Sequence, residues 1–501
     1  MIDLILEGFT SVLTPMGIFS ITAGIVLGMV VGALPGLGPS IGCALMLPFT
    51  YTMEPAYALL LLVSVFQGAE FGGSISAILM NTPGTAGASC TTMDGYPMNR
   101  NGQPGRAIAC ALIPSCIGGF VGVVALYLLT NVIVGVAVKF GPAEYFALGL
   151  FGLTAVVSLS SGNIARGCIS AVIGLMLSCV GLDVATGKPR FTMGNWNLYE
   201  GFSLVPVLIG MFAVSEALIL ISDELDTKYH IEKKGLRVKL EKGDFKSMIP
   251  AVCFGSIFGT ATGIFPGVGT TTASWLSYNQ TKSVSKHPEK FGTGIPEGIA
   301  APESANNAVV CSSLLPMLTL GIPGAPTAAI IMGAMIIHGV QPGTDIMTKH
   351  PGVVYTLYAG CAIAVLVMLL AGWLTSGLIA NVVRLPNKYL APMIIMLSFI
   401  GVYLTNGNVF SVLIAILFGI LGYIFKKTGF PVAPFVLAFV LSELLENNLR
   451  RALLMGSGAT YFLTRPVALV ILAVTAVSLC LAIRGELKKK RVGKATGSEG
   501  Q

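Results

Sequence analysis

The segments PGLGPS (35–40) and PGVGTT (266–271) put a proline, two glycines and hydroxyl side chains inside otherwise apolar runs. In hydrocarbon every backbone N–H and C=O needs a partner. Proline removes a donor and glycine admits positive φ, so each motif breaks a helix and frees peptide groups. Such a break is tolerated at membrane depth only where it packs in protein or lines an aqueous cavity. A helix that starts there presents unpaired N–H groups and about half a positive charge. That end binds an anion without a buried Arg or Lys. A helix that stops there presents carbonyls, which suit Na+.

A second kind of break follows each of these, NTPGTA (81–86) and GIPGAPT (321–327). At an offset of 231 residues, Gly28, Gly32, Pro35, Gly36 and Gly38 fall on Gly259, Gly263, Pro266, Gly267 and Gly269. At an offset of 240, Pro83 and Gly84 fall on Pro323 and Gly324. Paired interruptions in two halves point to a transporter's binding site. The residues expected to hold substrate are Pro35, Gly36, Gly38 and Ser40; Asn81, Thr82, Gly84 and Thr85; Gly267, Gly269, Thr270 and Thr271; and Gly324 and Thr327, with Asn306 and Asn307. The asparagine amides offer donors and acceptors without a charge cost. Coupling-ion candidates are Gly36, Asn81, Gly267 and Asn307, with the carboxylates Glu70 and Glu303, since an intramembrane charge is costly and functional. Glu303, just after Pro302, also reads as a helix-end position. PGLGPS is expected to be the tip of a re-entrant hairpin, 17–34 descending and 40–50 returning, and MNTPGTA the unwound middle of a crossing helix. The G-x-x-x-G pairs Gly28/Gly32 and Gly259/Gly263 are expected to pack helices within each hairpin, Asp94 before Gly95 to form a turn, and Glu216 to end a span.

These elements need a membrane around them. The chain has 501 residues, 54% hydrophobic and 11% charged, with a mean hydropathy of +0.81. A soluble domain carries about 25% charged residues. Thirteen apolar runs predict about a dozen membrane elements of roughly 20 residues each, some of half length. The charged stretch 223–247 divides the chain into a first membrane repeat (1–222) and a second (248–484), followed by a basic tail (485–501). No Lys or Arg precedes Arg100, and the clusters at 226–246 and in the tail belong in the cytoplasm by the positive-inside rule. The N-terminus lacks a basic region and a cleavage site and reads as mature protein. The net charge of +7 sits in loops, so no nucleic-acid partner is expected. Ten lone cysteines read as small buried hydrophobes. No Walker A, H-E-x-x-H or G-x-S-x-G motif occurs, and the four histidines are scattered, so neither catalytic residues nor a transition-metal site nor a cofactor is expected.

GALPGLGPSIGCALMLPFT (32–50), GAEFGGSISAILMNTPGTAGASCTTMDGYPM (68–98), GIFPGVGTTTASWLSY (263–278), APESANNAVV (301–310) and LTLGIPGAPTAAIIMGAMIIHGVQPG (318–343) together make the chain resemble the large membrane subunit of the tripartite tricarboxylate transporters, the TctA family. The resemblance implies an all-α polytopic carrier of the bacterial inner membrane. It implies import of a small carboxylate, driven by Na+ or H+. It implies two partners: a periplasmic, TctC-like substrate-binding protein and a small, TctB-like membrane subunit. Likeness to inverted-repeat carriers adds an elevator mechanism by analogy. An anion channel, with the breaks as its filter, and an intramembrane enzyme are the competing readings.

Overall fold

Proline is tolerated at the first helical position, where its missing N–H has no partner to lose. The chain starts many of its helices this way. The computed structural model describes residues 2–159, 163–183, 185–222, 237–382, 386–455, 458 and 460–496. It opens with α1 (Ile2–Val12), α2 (Pro15–Ala33), α3 (Gly38–Thr50), α4 (Pro55–Met80), α5 (Thr92–Arg100) and α6 (Pro104–Ala137). Then come α7 (Pro142–Leu159), α8 (Ile164–Ser178), α9 (Leu204–Ile209) and α10 (Ser215–Ser222), with the π-helical turn Gly210–Val214 between the last two. The second set begins with α11 (Asp244–Ile264), α12 (Gly269–Val284), α13 (Pro296–Ser312), α14 (Leu314–Leu320) and α15 (Pro326–Ile337). Further long helices are Pro351–Val382, Asn387–Asn406, Val409–Thr428, Val432–Met455 and Pro466–Thr496. Of the charged stretch, 223–236 lies outside the described residues, and 244–247 already belong to α11. The basic tail continues the last helix to Thr496, and 497–501 lie outside the described residues.

Among the described residues, ten helices are long and apolar enough to cross a membrane, and four shorter ones are apolar. The chain is a multi-pass membrane protein, helical throughout its described residues but for connecting segments and one short antiparallel ribbon pairing Gly181–Leu182 with Pro189–Arg190. Helices α3 and α12 have 13 and 16 residues, about 20 and 24 Å at 1.5 Å per residue. That is short of the roughly 30 Å of hydrocarbon. The apolar run 308–338 is not one span: it is divided at Ser313 and again at 321–325.

Two compact units form. One comprises Met1–Val134 and Val205–Ile420, the other Gly135–Leu204 and Leu421–Gln501. In the second unit, Glu446 and Arg450 pair as their i,i+4 spacing predicts (2.6 Å), and Arg450 also grips Asp183 (2.8 Å). The guanidinium holds the Asp183 carboxyl well below its ordinary range. Arg190 completes the network on Glu446 at 2.7 Å.

In the first unit the G-x-x-x-G faces pack against the following long helix, not within the hairpins. A Cβ on Gly24 or Gly28 of α2 would meet the carbonyls of Leu61 or Val65 of α4 at 2.6 or 2.3 Å. On Gly255 or Gly259 of α11 it would meet those of Ala301 or Ala305 of α13 at 2.5 or 2.3 Å. Small residues let backbones approach this closely. The offsets of 231 and 240 that align the breaks also align these contacts.

Asp94 is not a turn residue. It lies buried in α5, where its Oδ1 accepts from the backbone N–H of Gly292, Gly294 and Ile295 and its Oδ2 from the Tyr278 hydroxyl. It thereby fixes the loop leading into α13. Asp94→Asn keeps the shape but weakens charge-assisted bonds, and is expected to lower stability by about 2 kcal/mol. Thermal unfolding in detergent reads this as a reduced melting temperature.

Candidate functional site

The two hairpin tips have the same backbone. Leu34 and Phe265 end α2 and α11 in extended conformation, with φ/ψ of −81/115° and −83/119°. Gly36 and Gly267 follow with φ of 90° and 84°, and Gly38 and Gly269 with 60° and 71°. Positive φ is why glycine stands there. The second pair of breaks also matches. Helix α4 ends at Asn81 (φ 58°, ψ 22°) and α14 at Gly321 (φ 70°, ψ 25°), both left-handed caps. Gly84 N–H then donates to Gly73 O (3.2 Å), and Gly324 N–H to Ser313 O (3.3 Å).

These four breaks touch in a ring. The first meets the second where Gly84 crosses Gly32: a Cβ on Gly84 would lie 1.9 Å from the Gly32 carbonyl oxygen. The second meets the third through Glu70. Its Oε2 accepts from the Thr85 hydroxyl at 3.1 Å and lies, with Thr270 Oγ1, beside Gly87. The third meets the fourth where Gly267 N–H donates to Gly324 O at 3.0 Å. The fourth meets the first where the Ser40 and Thr327 hydroxyls share a hydrogen bond of 2.9 Å. Helices α3, α12 and α15 all begin at this ring, while α4 and α14 end at it. N-termini attract an anion's oxygens and C-terminal carbonyls attract a cation.

The predicted residues are not equally placed. Asn81 and Gly36 are exposed, while Pro35, Gly38, Ser40, Thr82, Gly267, Gly269, Thr270 and Thr271 are half-buried. Gly84, Thr85, Gly324 and Thr327 are buried. A Cβ on Gly38 or Gly269 would meet nothing within 4 Å, so both tips face open space. Asn306, Asn307 and Glu303 are not at the tips. They lie wholly buried in the middle of α13. Glu303 is no helix end: its Oε1 accepts from Thr91 (2.5 Å) and its Oε2 from Ser115 (3.0 Å).

Sequence reasoning missed two neighbours. Glu216 does not end its span: it follows the π-helical turn, and its Oε1 stands 2.9 Å from where a Gly36 Cβ would be. π-Turns recur at functional sites, but nothing local in the sequence pairs Glu216 with residue 36. Gln67 lies in the middle of α4, fully buried. Its offset from Asn307 is 240, so extending the second alignment would have found it.

The description "Tripartite tricarboxylate transporter TctA family" belongs to a family model that matches residues 18–437. The chain is 39% identical over 495 residues, 98% of each protein, to an uncharacterized 52.8 kDa protein in the TAR-I ttuC' 3' region of Agrobacterium vitis. It is 41% identical over 234 residues, 46% of this chain and 97% of the other, to an uncharacterized protein in the TAR-II ttuC' 3' region of the same organism. The family is one of transporter subunits and not of enzymes, and its members work in a three-part system. With the family motifs matched over most of its length, the chain belongs to the tripartite tricarboxylate transporter TctA family.

Proposed function

We propose that the chain is the carrier subunit of a secondary transporter that imports a small organic carboxylate across the bacterial inner membrane. A Na+ or H+ gradient drives it, a periplasmic TctC-like protein delivers the substrate, and a TctB-like subunit completes the assembly. The ring of four breaks carries this reading: three helix N-termini with the hydroxyls of Ser40, Thr270 and Thr327 suit carboxylate oxygens, and the Glu70 carboxylate suits a cation or proton. The halves 1–222 and 248–484 act as repeats that each supply one hairpin and one broken helix, inverted in the membrane. Movement of the ring between the two membrane faces is the mechanism that this arrangement serves.

Uptake of candidate acids by the three reconstituted components, under Na+ and under H+ gradients, tests the reading. Asn81→Gly is the informative variant, because glycine keeps the left-handed cap while the amide is lost. It is expected to raise the KM for the acid about tenfold, the worth of one or two hydrogen bonds, with expression unchanged. Uptake that requires ATP, or a rate that does not saturate as a carrier's does, would contradict the proposal.

A further inference from the structure

Midway along α4 and α13, one helical turn from Glu70, three amide atoms are buried without a hydrogen-bond partner among the described residues. They are Gln67 Oε1 and Nε2 and Asn307 Oδ1. Gln67 and Asn307 converge on one spot of α6. A Cβ on Gly119 would lie 3.1 Å from Gln67 Nε2 and 4.0 Å from Asn307 Cβ. One turn earlier on α6, Ser115 holds Glu303. Among the described residues, no Lys, Arg or His pairs with that carboxylate.

An unpaired buried amide is destabilising, and a buried carboxylate that has hydroxyl donors but no counter-charge is more so. A hard cation would take up the two amide oxygens, Gln67 Oε1 and Asn307 Oδ1, together with the carboxylate, because such oxygens are its ligands of choice. The charge count selects the valence. Among these three side chains the one carboxylate, Glu303, matches a single positive charge and would leave a divalent ion with excess charge in a low dielectric, while the neighbouring carboxylate, Glu70, is engaged by Thr85 at the ring. We infer that Gln67, Asn307 and Glu303 form a binding site for one Na+ ion between α4, α6 and α13, separate from the ring of breaks. The inference rests on the transporter reading, to which it adds a Na+ site apart from the carboxylate of Glu70.

The test is Gln67→Met, which keeps the side chain's length and removes two unpaired polar atoms. Purified protein is melted in NaCl and in choline chloride of equal ionic strength, and uptake is measured with both partners present. Wild type is expected to be stabilised by Na+ and not by choline. The variant is expected to lose that Na+ stabilisation, to melt in choline no lower than wild type, and to need about tenfold more Na+ for half-maximal uptake. Glu303→Gln is expected to lose the Na+ stabilisation as well. Equal Na+ stabilisation in wild type and both variants overturns the site, as does a variant that melts lower in choline with its Na+ response intact. Wild type without a Na+ response, taking up acid on a pH gradient alone, also overturns it. Na+ stabilisation lost in the variants while no acid enters with wild type leaves the site standing and removes the transporter reading.

Discussion

Glu70→Gln is expected to cut net carboxylate accumulation by about a hundredfold and to leave the fold at least as stable as wild type. The carboxylate is 2% exposed, bound by Thr85 and facing Thr270, and no described Lys, Arg or His pairs with it. Keeping a charge there costs several kcal/mol. Glutamine has the same shape and removes that cost, so a purely structural Glu70 predicts a neutral or stabilising change with uptake intact. A functional Glu70 predicts that the cation or proton meant for it is lost. Removing one member of a buried charge pair is worth about 3 kcal/mol or more, which corresponds to about two powers of ten. The measurement is gradient-driven uptake in proteoliposomes with both partners, beside a melting curve. Uptake within threefold of wild type would show that the ring works without this carboxylate. Loss of accumulation with retained exchange of internal for external acid would identify Glu70 as a proton carrier.

What could be read from the sequence was what glycine and proline punctuate. The hairpin tips at 35–38 and 266–269 were legible because positive φ demands glycine and a lost N–H marks proline, and both requirements are local. Their offset of 231 residues then paired the two tips with each other. The closures were not legible, because they join residues far apart in the chain: Ser40 with Thr327 across 287 positions, Thr91 with Glu303 across 212. Asp94 shows why a local rule fails in such a place. Asp before Gly is a turn signal, yet three N–H groups from 292–295 and the Tyr278 hydroxyl outcompete the local turn and hold it in a helix. The glycine stripes were read correctly as packing faces and paired with the wrong partner, since spacing tells which face is smooth but not what lies on it. Helix α13 from 296 does not stand out as an apolar run, because a helix buried inside protein has no need of apolar residues throughout; it carries Glu303, Asn306 and Asn307 instead.

Gly84→Ala is expected to abolish uptake, by about a hundredfold or more, because it forces the first break away from the second. The new methyl would lie 1.9 Å from the Gly32 carbonyl oxygen, 2.7 Å from Ser76 Oγ and 2.9 Å from Gly73 Cα. Ser76 can rotate away; the two backbones cannot. A helix must shift by more than 1 Å to restore ordinary contact distances, and overpacking of this kind costs about 1–3 kcal/mol. A displacement of that size at a binding constellation lowers a rate by about a hundredfold. Gly324 occupies the matching place in the second half, where a methyl would lie 2.6 Å from the Gly263 carbonyl oxygen. Gly324→Ala should therefore be the milder lesion in both melting temperature and uptake. Gly135, whose Cβ would meet nothing within 4 Å, should accept alanine without effect. The order Gly84, Gly324, Gly135 follows from clearance alone, and uptake normalised to folded protein measures it. Wild-type transport by the Gly84 variant, or a more severe lesion at Gly324, would mean that the close crossing of residues 32 and 84 does not hold the site together.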